Sequence, residues 1–283
     1  MQSAIKVISA SLVLFIALLC KIPAGVKFHG YGTVREFIKV YTMLKDWRSE
    51  EIYSEHFRVR FMPGNRAEAE LVLEATEFFY YPVMKDFNYS PRTRIPVIIY
   101  SSREALNKSF GWDAKENAMG VYWAGTIRVL SPRAWAGGAD MDKLKETFFS
   151  SGPVAHELTH LVVDYLTGGN YPRWFTEGVA QYEEYKLTGF VFRNTADLLR
   201  QSHYSIGELD DFDNLPNQAQ AYSESFSAVL YIVQNYGEDT LMELFNKLGE
   251  GNNFSEAMEK AMGINVQEFD LKWQEWCAYS LCN

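Results

Sequence analysis

Two histidines stand four positions apart in the segment His156-Glu157-Leu158-Thr159-His160, and no other feature constrains the chain as strongly. In an α-helix this spacing places both imidazoles on one face, about one turn apart, where they can bind the same metal ion. The neighbouring sequence favours a helix, with an apolar stripe followed by two glycines: Leu158, Leu161, Val162, Tyr165, Gly168 and Gly169. The alternative is a pair of ordinary packed or surface histidines. The metal interpretation also gives Glu157 a role, as a carboxylate placed beside the metal.

A catalytic zinc site needs three protein ligands and one open position, so a third ligand is expected downstream. Glu177 is the best candidate, because it stands near the start of the next predicted helix. Gly178 would let that helix approach the first one closely. Glu183, Glu184 and His203 are competing ligands. Glu177 also fits a simpler role, as an acid that the positive end of a helix favours.

The histidine motif, read with the segment Trp174-Phe175-Thr176-Glu177-Gly178-Val179-Ala180, resembles the zinc-binding signature of thermolysin-like gluzincins. The likeness is nearest to small bacterial peptidase-like proteins of the MA clan and spans residues 55–280. The resemblance implies one Zn²⁺ per chain, with His156, His160 and Glu177 as its ligands. It also implies that Glu157 is the general base.

The resemblance is weaker around the ligands. Gln181 stands where the thermolysin-like enzymes carry an aspartate that orients a ligand histidine. Asp164 is an alternative orienter or a solvated acid. Tyr222 matches a tyrosine found downstream of the ligand glutamate in several gluzincins, and we expect it to stabilise the oxyanion. A plain packing role is open for Tyr222, and His203 is the substitute donor.

Apolar periodicity divides the chain into two halves of an α+β fold. A mixed α/β subdomain is expected at residues 51–140 and a helical subdomain at 141–283, with the metal in the cleft between them. The first half contains strands at 56–62 and 95–100, a helix at 67–81 with Pro82 as a kink or stop, and a hairpin at 119–130. The second contains helices near 142–166, 174–187, 221–236, 238–248, 254–262 and 266–278.

The first 24 residues predict export, because a lysine precedes an apolar run of about fourteen residues at positions 7–20. Cleavage near Ala24 is the favoured interpretation, and an uncleaved membrane anchor is the alternative. A short amphipathic helix at 33–47 lies in the linker helix region, 25–50. We therefore expect a periplasmic or cell-envelope protein, in which Cys277 and Cys282 form a disulfide or remain two unpaired thiols.

The function expected from these features is hydrolysis of peptides or proteins by a zinc peptidase. The resemblance implies that an edge strand of the 119–130 hairpin binds an extended peptide by main-chain hydrogen bonds, and the alternative is that the hairpin is an ordinary sheet element. The formal net charge of -9, with no basic stripe, argues against nucleic acid as a partner. The alternatives are a metallo-amidohydrolase acting on another amide, or a cell-envelope binding protein that retains the fold but little catalysis.

Overall fold

A computed structural model describes residues 24–44, 49–113, 117–137, 140–191 and 203–280. Of the predicted leader, residues 1–24, all but Ala24 lie outside the described residues, as does Cys282. The disulfide therefore stays a prediction. Cys277 is buried, with its Sγ atom 3.8 Å from the hydroxyl of Ser227. Within the described part of the chain, no helix combines the length and apolar character needed to cross a membrane.

The architecture is α+β, as predicted, with one five-stranded sheet in the first half and helices throughout the second. The strands are β1 (Glu50–Tyr53), β2 (Phe57–Phe61), β3 (Ile95–Tyr100), β4 (Gly120–Trp123) and β5 (Thr126–Leu130). Their order across the sheet is β1-β2-β3-β5-β4. The central pairs β2–β3 and β3–β5 are parallel, whereas β1 and β4 each run antiparallel to one neighbour. β4 is therefore an edge strand.

The helices before and between the strands are α1 (Ala24–Leu44), α2 (Arg66–Asp86) and α3 (Arg103–Phe110). Those after the sheet are α4 (Pro132–Ala136), α5 (Met141–Ser151), α6 (Val154–Thr167), α7 (Arg173–Thr188) and α8 (Ile206–Leu209). A 3₁₀ turn at Phe212–Asn214 precedes α9 (Gln218–Tyr236), α10 (Glu238–Gly249), α11 (Phe254–Met262) and α12 (Val266–Ser280).

The predicted hairpin is confirmed, and its turn has an identifiable cause. Ala124 and Gly125 both have positive φ, 45° and 79°, as a tight two-residue hairpin turn requires. β1 was not predicted, because four residues with two acids carry no apolar alternation. Besides its main-chain pairing with β2, it is held by side chains, since Glu51 accepts hydrogen bonds from Arg58 and Arg60 of that strand.

Three of the predicted helices differ most clearly from the helices in the structure. α1 begins at Ala24 rather than at residue 33 and ends at Leu44, while residues 45–48 lie outside the described part. α2 continues through Pro82 to Asp86, and it carries buried residues on both sides of the proline, which tertiary packing holds in the helix. The predicted helix at 142–166 is two helices, which separate at Gly152 and Pro153.

The metal-motif helix α6 lies at the centre of the molecule. It contacts α2, α7, α10 and the strands β4 and β5. α7 packs against both α6 and α9. Gly178 serves the second of these contacts rather than the first, because a Cβ there would lie 2.2 Å from the carbonyl oxygen of Ser225 on α9. Gly178 was expected from the sequence to bring α7 close to α6, and that expectation was wrong, because the helix close to Gly178 is α9.

Candidate metal centre

Two helices supply a compact group of three candidate ligands. His156 and His160 lie one turn apart on α6, and Glu177 lies in the second turn of α7. α7 is set against α6 by a short connection containing Gly168, Gly169 and Pro172. In the part of the chain that the structure describes, these three residues are a group able to hold a metal ion, with ligand atoms all within 4.8 Å of one another.

The spacing of the three ligand atoms matches that of a tetrahedral metal site. Nε2 of His156 lies 3.1 Å from Nε2 of His160. Oε2 of Glu177 lies 3.4 Å from the first of these nitrogens and 3.5 Å from the second. Two ligands at roughly 2.0–2.1 Å from a tetrahedral zinc stand about 3.3 Å apart. The three ligand atoms, Nε2 of His156, Nε2 of His160 and Oε2 of Glu177, therefore form a triangle that fits one zinc-sized ion without rearrangement.

In each histidine the ring nitrogen that faces away from the triangle, Nδ1, has a hydrogen-bond acceptor nearby. These two contacts were not predicted from the sequence. Nδ1 of His160 lies 2.8 Å from the hydroxyl of Thr176. Nδ1 of His156 lies 3.4 Å from Oε2 of Glu184. Acceptors at Nδ1 favour the tautomer with its proton there, which leaves the Nε2 lone pair free for a metal. Glu184 was named in the sequence only as a competing ligand, although its position about two helical turns beyond Glu177 puts it on the same face of α7 and could have indicated this role.

The two predicted candidates for this orienting role have other partners. Gln181 donates through Nε2 to the backbone oxygens of Glu177 and Tyr222, at 3.2 and 2.9 Å. It ties α7 to α9 instead of orienting a histidine. Asp164 is fully buried and accepts hydrogen bonds from Tyr31, at 2.7 Å, and from other residues described below. The solvated alternative for Asp164 is therefore wrong.

Glu157 is buried and points toward β4. Its Oε2 accepts a hydrogen bond from the backbone N–H of Tyr122, at 2.5 Å. Gly120, two residues earlier on β4, is packed so closely that a Cβ there would lie 2.8 Å from Cγ and from Oε1 of Glu157. The edge strand and the carboxylate are thus in direct contact, which the sequence-based hairpin alone did not predict.

The charges within the group are distributed unevenly. Burial lowers the pKa of His156, but contacts with Glu177 and Glu184 outweigh burial and raise that pKa well above the ordinary value. Burial raises the pKa of Glu177, yet the two histidines hold it well below its usual range. For Glu157 burial prevails, and its pKa is raised. The candidate ligand Glu177 is therefore anionic at neutral pH, and Glu157 is a stronger proton acceptor than an exposed glutamate.

Tyr222 lies at the same site, at the start of α9. Its hydroxyl accepts a hydrogen bond from Arg173 at 3.3 Å, and Arg173 Nε lies 3.4 Å from Glu177. Burial, together with the charge of Glu177, raises the pKa of Tyr222 to about 12. The phenol is therefore protonated at neutral pH and able to donate a hydrogen bond.

None of the three competing ligands joins the group of His156, His160 and Glu177. His203 contacts Glu224, at 3.2 Å, and the ring of Trp273. Glu183 is buried on α7, and burial together with the charge of Asp86 raises its pKa to about 8. Glu184 reaches His156 through Nδ1 rather than joining the triangle. Of the competing acids, Glu177 is the one placed with the two histidines.

The fold and the site define an α+β protein in which two helices bring two imidazoles and a carboxylate to one point, beside the edge strand of a sheet. The chain belongs to the Peptidase MA superfamily, whose family model matches residues 84–279. This range contains the three candidate ligands, Glu157, β4 and Tyr222. No curated protein matches the chain.

Proposed function

We propose that the chain is a zinc-dependent peptidase of the gluzincin type, with His156, His160 and Glu177 as zinc ligands. The triangle of their three ligand atoms is the observation that carries the proposal. Two imidazoles and one carboxylate are a ligand set of catalytic zinc, which leaves a coordination position open. Membership of a peptidase superfamily supports the same assignment.

The zinc ion, when bound, supplies Lewis acidity that activates a water molecule and polarises a carbonyl group. The chain's own residues do the rest. Thr176 and Glu184 hold the histidine rings at Nδ1 and fix their orientation. The glutamate ligand is held by Arg173, whose Nε atom lies 3.4 Å from Oε1 of Glu177.

Glu157 is assigned as the general base. Its carboxylate takes the proton of the attacking water and passes it to the leaving amine nitrogen, so that one group performs both transfers. Burial raises its pKa toward the range in which such an exchange is efficient at neutral pH. The Tyr122 N–H holds one carboxylate oxygen and leaves the other for the proton.

Tyr222 is assigned as the oxyanion donor, because its hydroxyl is protonated and lies at the site with Arg173. The substrate is a peptide or protein bound in extended form along β4. Among the described residues β4 pairs with another strand, β5, on one side only, and on its other side the Tyr122 N–H contacts the proposed base. Peptide addition at this edge would bring a scissile bond toward Glu157.

Export to the periplasm or cell envelope is part of the proposal and rests on the sequence of residues 1–24. An amino-terminal segment that stays attached would hold the enzyme at the membrane. Fractionation of cells that express the full chain, followed by amino-terminal sequencing of the product, distinguishes a cleaved leader from an anchor. Recovery in the cytoplasm would contradict export.

The function is tested by zinc content and peptide hydrolysis measured on the same samples. We expect one zinc per chain by elemental analysis, and cleavage of a mixed peptide pool detected by mass spectrometry. Chelation should abolish cleavage and zinc should restore it, while Glu177→Ala should weaken zinc binding. Zinc without any hydrolysis would favour a binding protein, and a chain that binds no zinc would refute the proposal.

A further inference from the structure

α1 is docked on the metal-motif helix by polar contacts. Arg35 is buried, and its guanidinium lies 3.5 Å from the centre of the Tyr165 ring. The Tyr165 hydroxyl donates to Glu36 at 2.7 Å and accepts from Lys39 at 3.2 Å. These contacts join one face of α1 to the carboxyl-terminal half of α6.

Two glycines allow α1 to approach this closely. A Cβ on Gly169, just after α6, would lie 2.5 Å from the ring of Tyr31. A Cβ on Gly125, in the hairpin turn, would lie 2.9 Å from the side chain of Lys39. α1 therefore touches both the end of α6 and the turn that joins β4 to β5.

The centre of this contact is the buried carboxylate of Asp164. Arg35 Nη1 donates to its Oδ2 at 3.0 Å, and the Tyr31 hydroxyl donates to Oδ1 at 2.7 Å. From the other side, the hydroxyl of Tyr122 donates to Oδ2 at 2.5 Å. A fully buried carboxylate needs such compensation, because an unpaired charge in the interior is strongly destabilising.

Tyr122 links this carboxylate to the proposed base. Its side chain reaches Asp164 while its backbone N–H donates to Glu157, and its hydroxyl also accepts the N–H of Gly125. A continuous set of hydrogen bonds thus runs from α1 through Asp164 and the edge strand to Glu157. Arg35 and Asp164 are 129 residues apart in sequence.

We propose that α1 is a positioning element of the catalytic site, in which Arg35 and Tyr31 hold Asp164 and thereby fix Tyr122 and Glu157. Neither α1 residue touches the candidate ligands, so both act through Asp164. When Arg35 is absent, the Asp164 carboxylate loses its charge partner. β4 then loses the fixed anchor of Tyr122, and Glu157 loses its alignment. The catalytic part of this inference rests on the proposed peptidase function.

The test compares Arg35→Ala, Tyr122→Phe and the double variant in the full chain, with Phe37→Ala as the control. Phe37 is on α1 but exposed, at 72%. Each single variant should lower kcat roughly ten-fold, with KM and zinc content little changed. The double variant should be no worse than the poorer single variant, because both remove the same network. Arg35→Lys should restore part of the activity.

Independent, multiplicative losses in the double variant would overturn the proposal, as would an unchanged kcat in Arg35→Ala. If Arg35→Ala does not fold, Tyr31→Phe removes a single hydroxyl from Asp164 and should give a smaller loss of the same kind. Full activity in a folded Tyr31→Phe and in Tyr122→Phe would then overturn it.

A second readout does not depend on hydrolysis. Hydrogen–deuterium exchange of residues 120–123 should speed up in Arg35→Ala and in Tyr122→Phe, but not in Phe37→Ala. This measurement decides the positioning role even if the chain cleaves no peptide. Failure of the peptidase proposal is therefore distinguishable from failure of the positioning proposal. The positioning proposal fails if Arg35→Ala and Tyr122→Phe both leave the exchange of residues 120–123 unchanged.

Discussion

Oε2 of Glu184 lies 3.4 Å from Nδ1 of His156, on the side of the ring opposite the metal triangle. Glu177 and Glu184 therefore contact the same imidazole from one face of α7, one at each nitrogen. A carboxylate at Nδ1 orients a ligand histidine and increases its basicity. Gln181 lies between these two glutamates in sequence but donates to the backbone oxygens of Glu177 and Tyr222, so Glu184 is the residue placed for this role.

Replacing Glu184 should weaken zinc binding. We expect Glu184→Gln to lower zinc affinity by roughly 10- to 100-fold, because the His156 ring loses its anionic acceptor. Competition with a chromogenic chelator measures the affinity. Glu183→Gln is the matched control, since Glu183 is the adjacent residue, is buried and lies apart from the triangle. Equal affinity in Glu184→Gln and the wild type would exclude an orienting role.

Gly120 should tolerate no side chain. A Cβ there would lie 2.6 Å from Cβ of Pro153 and 2.8 Å from Glu157, so Gly120→Ala must displace β4 or the proposed base. We expect hydrolysis to fall at least about ten-fold and stability by about 1–3 kcal/mol. Gly207→Ala is the control, because no atom lies within 4 Å of its Cβ position. Comparable kinetics of the two variants would contradict this packing constraint.

The hydroxyl of Tyr222 should matter for turnover. If it donates to the developing oxyanion, Tyr222→Phe should lower kcat by roughly 100-fold, with zinc content retained. Tyr231→Phe, further along the same helix, removes a hydroxyl away from the site and should have little effect. Steady-state kinetics on one quenched peptide separate the two. A wild-type kcat in Tyr222→Phe would leave Tyr222 only its packing role.

Glu224 should make the fold less stable as the pH rises. It is fully buried on α9, where it accepts hydrogen bonds from the Tyr204 N–H and the Gln220 side chain and faces His203. Burial raises its pKa from 4.5 to about 7. Because the folded pKa is the higher one, its contribution to stability is complete below about pH 4.5 and is lost as the pH rises through about 7.

The neutral variant Glu224→Gln should therefore be more stable than the wild type at pH 8, by about 1–3 kcal/mol, and nearly equal at pH 5. Denaturant unfolding of zinc-saturated samples at the two pH values measures the difference. Glu208→Gln is a contrasting control, because hydrogen bonds from Ser205 lower the pKa of Glu208. It should not stabilise the protein at pH 8. A pH-independent effect of Glu224→Gln would contradict the burial argument.

Features with a local cause were predictable from the sequence. The helical face that carries His156 and His160 follows from their spacing alone. The hairpin follows from two short apolar strands around Ala124 and Gly125, whose positive φ values the structure shows. The placement of Glu177 with the histidines was also anticipated, through the motif of which it is part.

Features that depend on distant partners were not predictable. The role of Asp164 requires Arg35 and Tyr31, more than a hundred residues earlier, and no periodicity records such a pairing. Gly178 was correctly seen as a close-approach residue, but which helix approaches it is decided by tertiary packing. Tyr122 was seen only as part of an edge strand, since its contact with Glu157 arises from the docking of the sheet on α6.

The most direct test of the central claim is the activity of Glu157→Gln at full zinc occupancy. The account predicts that this variant binds one zinc per chain with near wild-type affinity, because Glu157 is not among the three ligands, and that it loses peptide hydrolysis by at least about 1,000-fold. Hydrolysis at the wild-type rate by the zinc-loaded variant would contradict the assignment of Glu157 as the base.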